Sequence, residues 1–282
     1  MIYLLLAIAA STSIIVLFKI FSRLKINTFS AIMVNYVVAA SFGFLSEPGA
    51  FLVSDIPSKP WFWLSIATGL MYIVGFNLFA LSAHHAGVAL TGMASRMSLI
   101  VAVLAGVLVF GDQPGMLRVS GIILGIIAFY LTFHRNRLAD VDRKLLLLPL
   151  ALLIVHGFSD LLMKIGQHYY IDGDFTLFLA TVFTAALVFG FVFIFLGYRK
   201  KVRFTYKEVL GGIIIGLANW YSGYFLLLGL NIFDVSFVIP MINISIVTAA
   251  SLVGYMVFKE KLKLLNWVGL ALALVAILLM MQ

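Results

Sequence analysis

The sequence predicts an all-α polytopic membrane protein, with ten transmembrane helices arranged as two inverted five-helix repeats. Three observations carry that expectation. First, 63% of the 282 residues are hydrophobic and 11% are charged, whereas soluble domains carry about a quarter charged residues. Second, the apolar residues come in continuous runs near the ~20 residues that a helix needs to cross a bilayer, without the alternation of a barrel strand. Third, local patterns of the first half return in the second half at offsets of 145, 147 and 148 residues.

Taken in order, the apolar runs cover 2–21, 27–46, 61–82, 87–110, 114–133, 145–168, 174–197, 208–230, 234–258 and 264–281. Short gaps force neighbouring spans to be antiparallel. The longest polar pieces, Glu47–Pro60 and His134–Lys144, are too short to form a soluble domain. The recurrences divide the chain into repeats over 1–138 and 139–282, which form one integral membrane domain. Lys19 matches Lys164, Ser41-Phe42-Gly43-Phe44 matches Val188-Phe189-Gly190-Phe191, and Phe110-Gly111-Asp112 matches Phe258-Lys259-Glu260. Five spans per copy is an odd number, so the copies have opposite orientation. That arrangement is typical of transporters and puts a site near the membrane midplane.

The net charge of +8 is not a nucleic-acid footprint, because basic residues of membrane proteins sit mostly in loops. Fifteen Lys and Arg lie in the gaps after spans 1, 5, 7 and 9, against Lys59 and Arg118 alone on the other side. The positive-inside rule then makes the odd gaps cytoplasmic and directs both termini outward. Met1 leads into an apolar run without a basic n-region, so span 1 reads as retained rather than as a cleaved signal. No cysteine is present, which excludes disulfides and thiolate metal sites. His84 and His85, after span 3, have no further ligand near them in sequence, so no metal and no cofactor is expected.

The sixth span carries His156, Asp160 and Lys164 at i, i+4 and i+8, on one helical face. An ionised group at mid-depth costs roughly 2.5–3.5 kcal/mol or more, so it must be paired, neutralised or hydrated. Arg96, in span 4, keeps its proton, and its planar fork suits carboxylate or phosphate. It reads either as an anion-binding group or as the permanent partner of Asp160. Asp160 is a candidate proton carrier and His156 a candidate relay, the latter set against a packing histidine. Lys164 is a candidate substrate contact on the Asp160 face, against snorkelling from a span end, the reading preferred for Lys19.

Span 8 carries Asn219, Trp220, Tyr221 and Tyr224, which at mid-span read as ligand-stacking and hydrogen-bonding groups rather than an interfacial belt. Tyr221 and Tyr224 share a face at i, i+3. Tyr72 with Asn77, Asn35 with Tyr36, and Asn243 with Ser245 are further polar groups at depth, serving a ligand or gluing helices together. Pro240 is expected to break span 9 and free carbonyls.

The stretches Ala86-Gly87-Val88-Ala89-Leu90 through Val109-Phe110-Gly111-Asp112, Ser120–Gly125, Asp234–Glu260 and Asn266-Trp267-Val268-Gly269 together resemble the EamA-type drug/metabolite transporter superfamily. The resemblance covers essentially the whole chain. It implies secondary transport of small metabolites such as amino acids, and a central cavity lined by spans 1, 3, 4, 6, 8 and 9. The chain departs from the family pattern in three ways. Met93–Ser98 lacks the usual span-4 proline, span 1 lacks the glutamate of the small multidrug-resistance relatives, and the charge count opposes the family's cytoplasmic termini.

The expected activity is alternating-access transport of a small polar metabolite bearing a carboxylate or phosphate across the cytoplasmic (inner) membrane, with proton coupling through Asp160. The expected partners are that solute and the bilayer, with no nucleic acid, in a monomer or homodimer. A flippase for an anionic lipid or lipid-linked phosphate is the alternative. An intramembrane enzyme is remote: there is no His-Glu-x-x-His helix, and Asp160 has no second carboxyl facing it at depth.

Overall fold

The computed structural model describes residues 2–47, 52–85, 91, 94–133, 147–171, 173–196, 202, 204–259 and 263–281. Among the described residues, ten α-helices follow one another: α1 (Ile2–Leu24), α2 (Thr28–Leu45), α3 (Phe62–His85), α4 (Leu99–Val109), α5 (Met116–Phe133), α6 (Leu147–Ile165), α7 (Phe175–Phe195), α8 (Tyr206–Ile232), α9 (Val235–Met256) and α10 (Leu264–Met280). Among the described residues, seven helices are at least 18 residues long and apolar enough to cross a bilayer; the shorter apolar helices are Ala94–Val109, Met116–Ala128 and Leu264–Met280. The chain is thus an all-helical, multi-pass integral membrane protein.

Three expected features fall outside the described residues: the start of span 4 at 86–90, the basic residues Arg135, Arg137, Arg143, Lys144, Arg199, Lys200, Lys201, Arg203 and Lys261, and the acid Glu260. So do the side chains of His84 and His85.

Two expectations change. Pro240 does not break span 9, since α9 runs through it. It is the sixth residue of that helix, so it removes a single bond near the N-terminus, where little helix precedes it to be kinked. Span 4, in contrast, is interrupted without a proline: a helical turn at Ala94–Arg96 passes through a turn at Met97–Ser98 into α4.

The chain forms two compact units, Met1–Ile73 with Leu162–Asn231, and Val74–Leu161 with Ile232–Gln282. In unit 1, α2 packs on α7. Gly43 lies against Ala180 and Trp220, and Gly190 lies against Met33 and Ile73. The partners 43 and 190, 33 and 180, and 73 and 220 are each separated by 147 residues, so the two contacts are copies of one another. Tyr36 and Phe183, again 147 apart, face each other with ring centroids 6.2 Å apart. Position rises along α2 as it falls along α7, so the counterpart helices run antiparallel, as inversion of the repeat requires.

The ends of unit 1 repeat the theme. Glu208, 6% exposed, accepts the Asn27 N–H at 3.0 Å and the Thr205 N–H at 3.1 Å. Asp174, the residue 147 after Asn27, accepts from Lys59 Nζ at 2.7 Å and from Trp61 Nε1 at 3.3 Å; Trp61 is 147 before Glu208. The Asp174 carboxylate raises the Lys59 pKa above its ordinary value, by its hydrogen bond first and its charge second.

In unit 2, α5 packs on α10 and α4 on α9. Gly121 meets Met280 and Ala276, while the Asn266 amide reaches the Leu131 carbonyl at 3.3 Å. These helices too are antiparallel counterparts. Gly111, at φ +70°, takes a left-handed turn after α4 that glycine alone tolerates well. Asp112 then accepts the Ser236 N–H at the start of α9 at 3.0 Å. Arg118 pairs with Asp234 at 3.2 Å and covers the Phe237 ring at 5.5 Å.

Candidate functional site

The polar residues of unit 2 converge at the interruption of span 4. Arg96 stands in the short turn before α4 and donates to Asn243 Oδ1, on α9, at 3.0 Å. Guanidinium has no acceptor, so the amide must present its oxygen. Among the described residues, Asn243 takes one of the five guanidinium N–H groups, and no protein acceptor meets the others. Those donors are not sealed in, because Arg96 is half-buried.

Asp160, on α6, accepts a hydrogen bond from the buried Ser98 hydroxyl. Its charge and that of Arg96 act on each other, and among the described residues they form no direct ion pair. One turn earlier, His156 Nδ1 lies 2.9 Å from Ser95 Oγ. The other edge of the imidazole faces Gly75 of α3: a Cβ there would stand 3.1 Å from His156 Nε2. Asp160 and His156 are both half-buried. The unit therefore gathers a permanent cation, an amide, a carboxyl and an imidazole, linked through Ser95 and Ser98. Asn77 lies on α3, half-buried.

The remaining candidates lie in unit 1, in two places. Trp220 is 2% exposed and stacks on Tyr224, with centroids 6.1 Å apart and an interplanar angle of 15°. Phe42 and Phe183 flank Trp220 at 6.1 and 6.4 Å, and Tyr72 reaches Phe183 at 6.0 Å. Tyr221 is 41% exposed, stacks on Phe225 and also lies 5.7 Å from Phe42. The stacked pairs are thus i, i+4 rather than Tyr221 with Tyr224. Asn219 Nδ2 donates to Asn35 Oδ1 at 3.1 Å.

Lys164 goes elsewhere. It is 7% exposed and donates to Gln167 Oε1 at 2.8 Å and to the Leu230 carbonyl at 2.9 Å. Gln167 in turn donates to Asn231 at 2.9 Å. α6 widens into a π-helical turn over Gly166–Tyr170, which turns Gln167 to meet both partners. The ammonium thus neutralises the negative C-terminal end of α8.

Ser95, Ser98, Gly75 and Phe183 were not singled out from sequence. The two serines bracket Arg96 and Met97, and a hydroxyl on either side of a buried-looking arginine was the available signal. The distant Gly75 and Phe183 carry no local signal.

Comparison with known proteins follows the same lines. The model of the EamA-like transporter family matches residues 1–134 and again 143–282. An uncharacterised protein of Haemophilus influenzae is 29% identical over 282 residues, covering 97% of this chain and 95% of its own. A solved crystal structure is similar at a TM-score of 0.81 and 12% identity, covering 99% of this chain and 94% of the other, a likeness of fold alone.

Proposed function

Since the chain belongs to the EamA-like transporter family, whose members are transporters rather than enzymes, we propose that it moves a small polar metabolite bearing a carboxylate or phosphate by alternating access. The observation that carries this reading is Arg96: a cation within an apolar span, with one donor on Asn243 and the rest without a protein acceptor among the described residues. A guanidinium in that state is matched by a planar anion that takes two donors at once. Asn243 holds the fork in place while it is empty.

Asp160 is the proton carrier in this proposal and His156 the relay. When a substrate anion takes over the guanidinium, the two negative groups compete and Asp160 gains a proton. Trp220, Tyr221, Tyr224, Tyr72 and Asn219 of unit 1 and Asn77 of unit 2 are candidates for ligand contact in their own right. Lys164, tied to the α8 terminus, serves to hold α6 and α8 together.

In this proposal the chain lies in the cytoplasmic membrane with both termini outward, a reading that rests on the charge bias of the sequence. The two basic residues of the sparse side, Lys59 and Arg118, are both paired with acids, which reduces the positive charge that side presents.

The test is a ligand-stabilisation screen on purified wild type, Arg96→Gln and Asp160→Asn. A metabolite that raises the melting temperature of wild type and not of Arg96→Gln supports the reading and names the substrate class. Hits that bind all three proteins alike overturn the residue roles. If headgroup translocation in liposomes replaces uptake of a soluble anion, the protein is a lipid flippase.

A further inference from the structure

The interval between Arg96 and Asn243 is 147 residues. The same interval relates Gly43 to Gly190, Met33 to Ala180 and Ile73 to Trp220 in unit 1. On the 147-residue interval of unit 1, Arg96 and Asn243 are the same position of the two repeats, one residue from the 148-residue register of Phe110–Asp112 with Phe258–Glu260. They touch each other, as Tyr36 and Phe183 do. In a two-fold arrangement, a residue touches its own counterpart only where the axis passes.

The packing around the pair agrees. Arg96 meets Asn243, and Gly106, further along α4, meets Val235 and Ser236, further back along α9. The crossing is antiparallel, with the guanidinium–amide pair near its middle. In the same unit, α5 and α10 also cross antiparallel, from Gly121 against Met280 to Leu131 against Asn266.

We propose that the anion site lies on the internal two-fold axis of unit 2, so that positions 96 and 243 are equivalent seats for its one arginine. The site takes a single carboxylate or phosphate group, whether of a free solute or of a lipid headgroup. This deepens the transport reading and rests on it. The axis of an inverted repeat lies in the membrane plane, so an anion arriving from either face meets the same donors at the same depth. The asymmetry at the axis has its own reason. Two arginines there would place like charges side by side, which costs free energy in a low-dielectric span. One arginine and one amide leave a single positive charge. With its oxygen turned to Arg96, the amide keeps its NH2 group as a further donor for an anion seated alongside.

The experiment exchanges the two seats. Wild type, Arg96→Asn, Asn243→Arg, the double exchange Arg96→Asn/Asn243→Arg, and Asn243→Asp are purified. Each is melted without added ligand and with sodium acetate, sodium phosphate or phosphatidylglycerol micelles, against chloride at equal ionic strength. Wild type is stabilised by at least one of the three, and which one identifies a carboxylate, a free phosphate or a lipid phosphate. Arg96→Asn loses that shift, and the double exchange regains at least half of it. Asn243→Asp weakens the anion by about tenfold or more, because a fixed carboxylate occupies the guanidinium.

A double exchange that melts like wild type without ligand yet shows no anion shift overturns the equivalence of the seats. If the double exchange does not fold, undiminished anion binding by Asn243→Asp overturns the site. Absence of any anion shift in wild type instead removes the transport reading's anion. The ligand-free melts still judge the axis: the double exchange must recover stability lost in both single variants, and failure to do so refutes it.

Discussion

Gly43 and Gly190 occupy one position of the repeat and face different neighbours, which makes them a controlled pair. A methyl group at Gly43 would stand 2.6 Å from the Trp220 ring and 2.7 Å from the Ala180 Cβ. Neither can yield easily. Ala180 is fixed to the α7 backbone, and the indole is wedged by Phe42, Phe183 and Tyr224. Over-packing of this kind costs about 1–3 kcal/mol. Replacing a helical glycine by alanine returns about 1 kcal/mol. Gly43→Ala is therefore expected to be destabilised by up to roughly 2 kcal/mol. At Gly190 the methyl would meet Met33 Sδ at 2.6 Å and Cε at 3.0 Å, the outer end of a buried but unbranched side chain that adapts more readily than an alanine Cβ or an indole. Gly190→Ala is expected to lie within about 0.5 kcal/mol of wild type, on the same propensity gain. Melting of both variants in one detergent, followed by Trp fluorescence, measures the order. If Gly190→Ala melts at or below Gly43→Ala, then rigidity of the neighbour does not decide the cost, and the packing account of the α2–α7 contact is wrong.

The acids at the ends of unit 1 give a second pair. Glu208→Gln leaves one acceptor oxygen for the donors of Asn27 and Thr205 and is expected to cost about 1–3 kcal/mol, whereas the partly exposed Asp174→Asn costs under about 1 kcal/mol; urea or SDS titration ranks them. The Lys59–Asp174 pair has a definite pH sign. The folded pKa of Lys59 is raised, so its contribution is complete below the unfolded value near 10.5 and fades as pH rises through the folded value. The stability difference between wild type and Lys59→Met should accordingly be flat from neutral pH to pH 10 and shrink above it, as a pair of pH-dependent melts would show. Asp112→Ala removes the acceptor for the Ser236 N–H and the negative charge at the start of α9, with an expected loss of about 1 kcal/mol. Hydrogen exchange of the first α9 amides reads that change directly.

Much of the architecture was legible because bilayer insertion imposes a coarse and regular grammar on sequence. Runs of apolar residues mark spans, and the pairs Gly43 with Gly190 and Lys19 with Lys164 expose the duplication. Side-chain partners were harder. The helical period correctly put His156 and Asp160 on one face. It does not say that α6 loosens into a π turn at Gly166, so the sequence groups Lys164 with them, whereas the structure sets it at the α8 terminus. Arg96 stands out in the sequence, and of its two readings, anion-binding group and partner of Asp160, the second rests on opposite charge alone. The hydrogen bond goes to Asn243, and only the repeat interval, applied to side chains, would have named it. Pro240 misled because its effect depends on how much helix precedes it, and here that is little more than one turn.

The ties at Asn27–Glu208 and Asp174–Trp61 hold the same two positions, yet the carboxylate stands on opposite partners. In one copy the acid belongs to the later helix and the backbone of the earlier one donates to it. In the other copy the acid has moved to the counterpart of Asn27, and an indole has taken the acid's former place. Ancestry accordingly preserved the meeting point while leaving its chemistry free to be reinvented. A comparison of the two copies that demands identical residues at these four positions would miss their kinship; one that demands a donor facing an acceptor finds it.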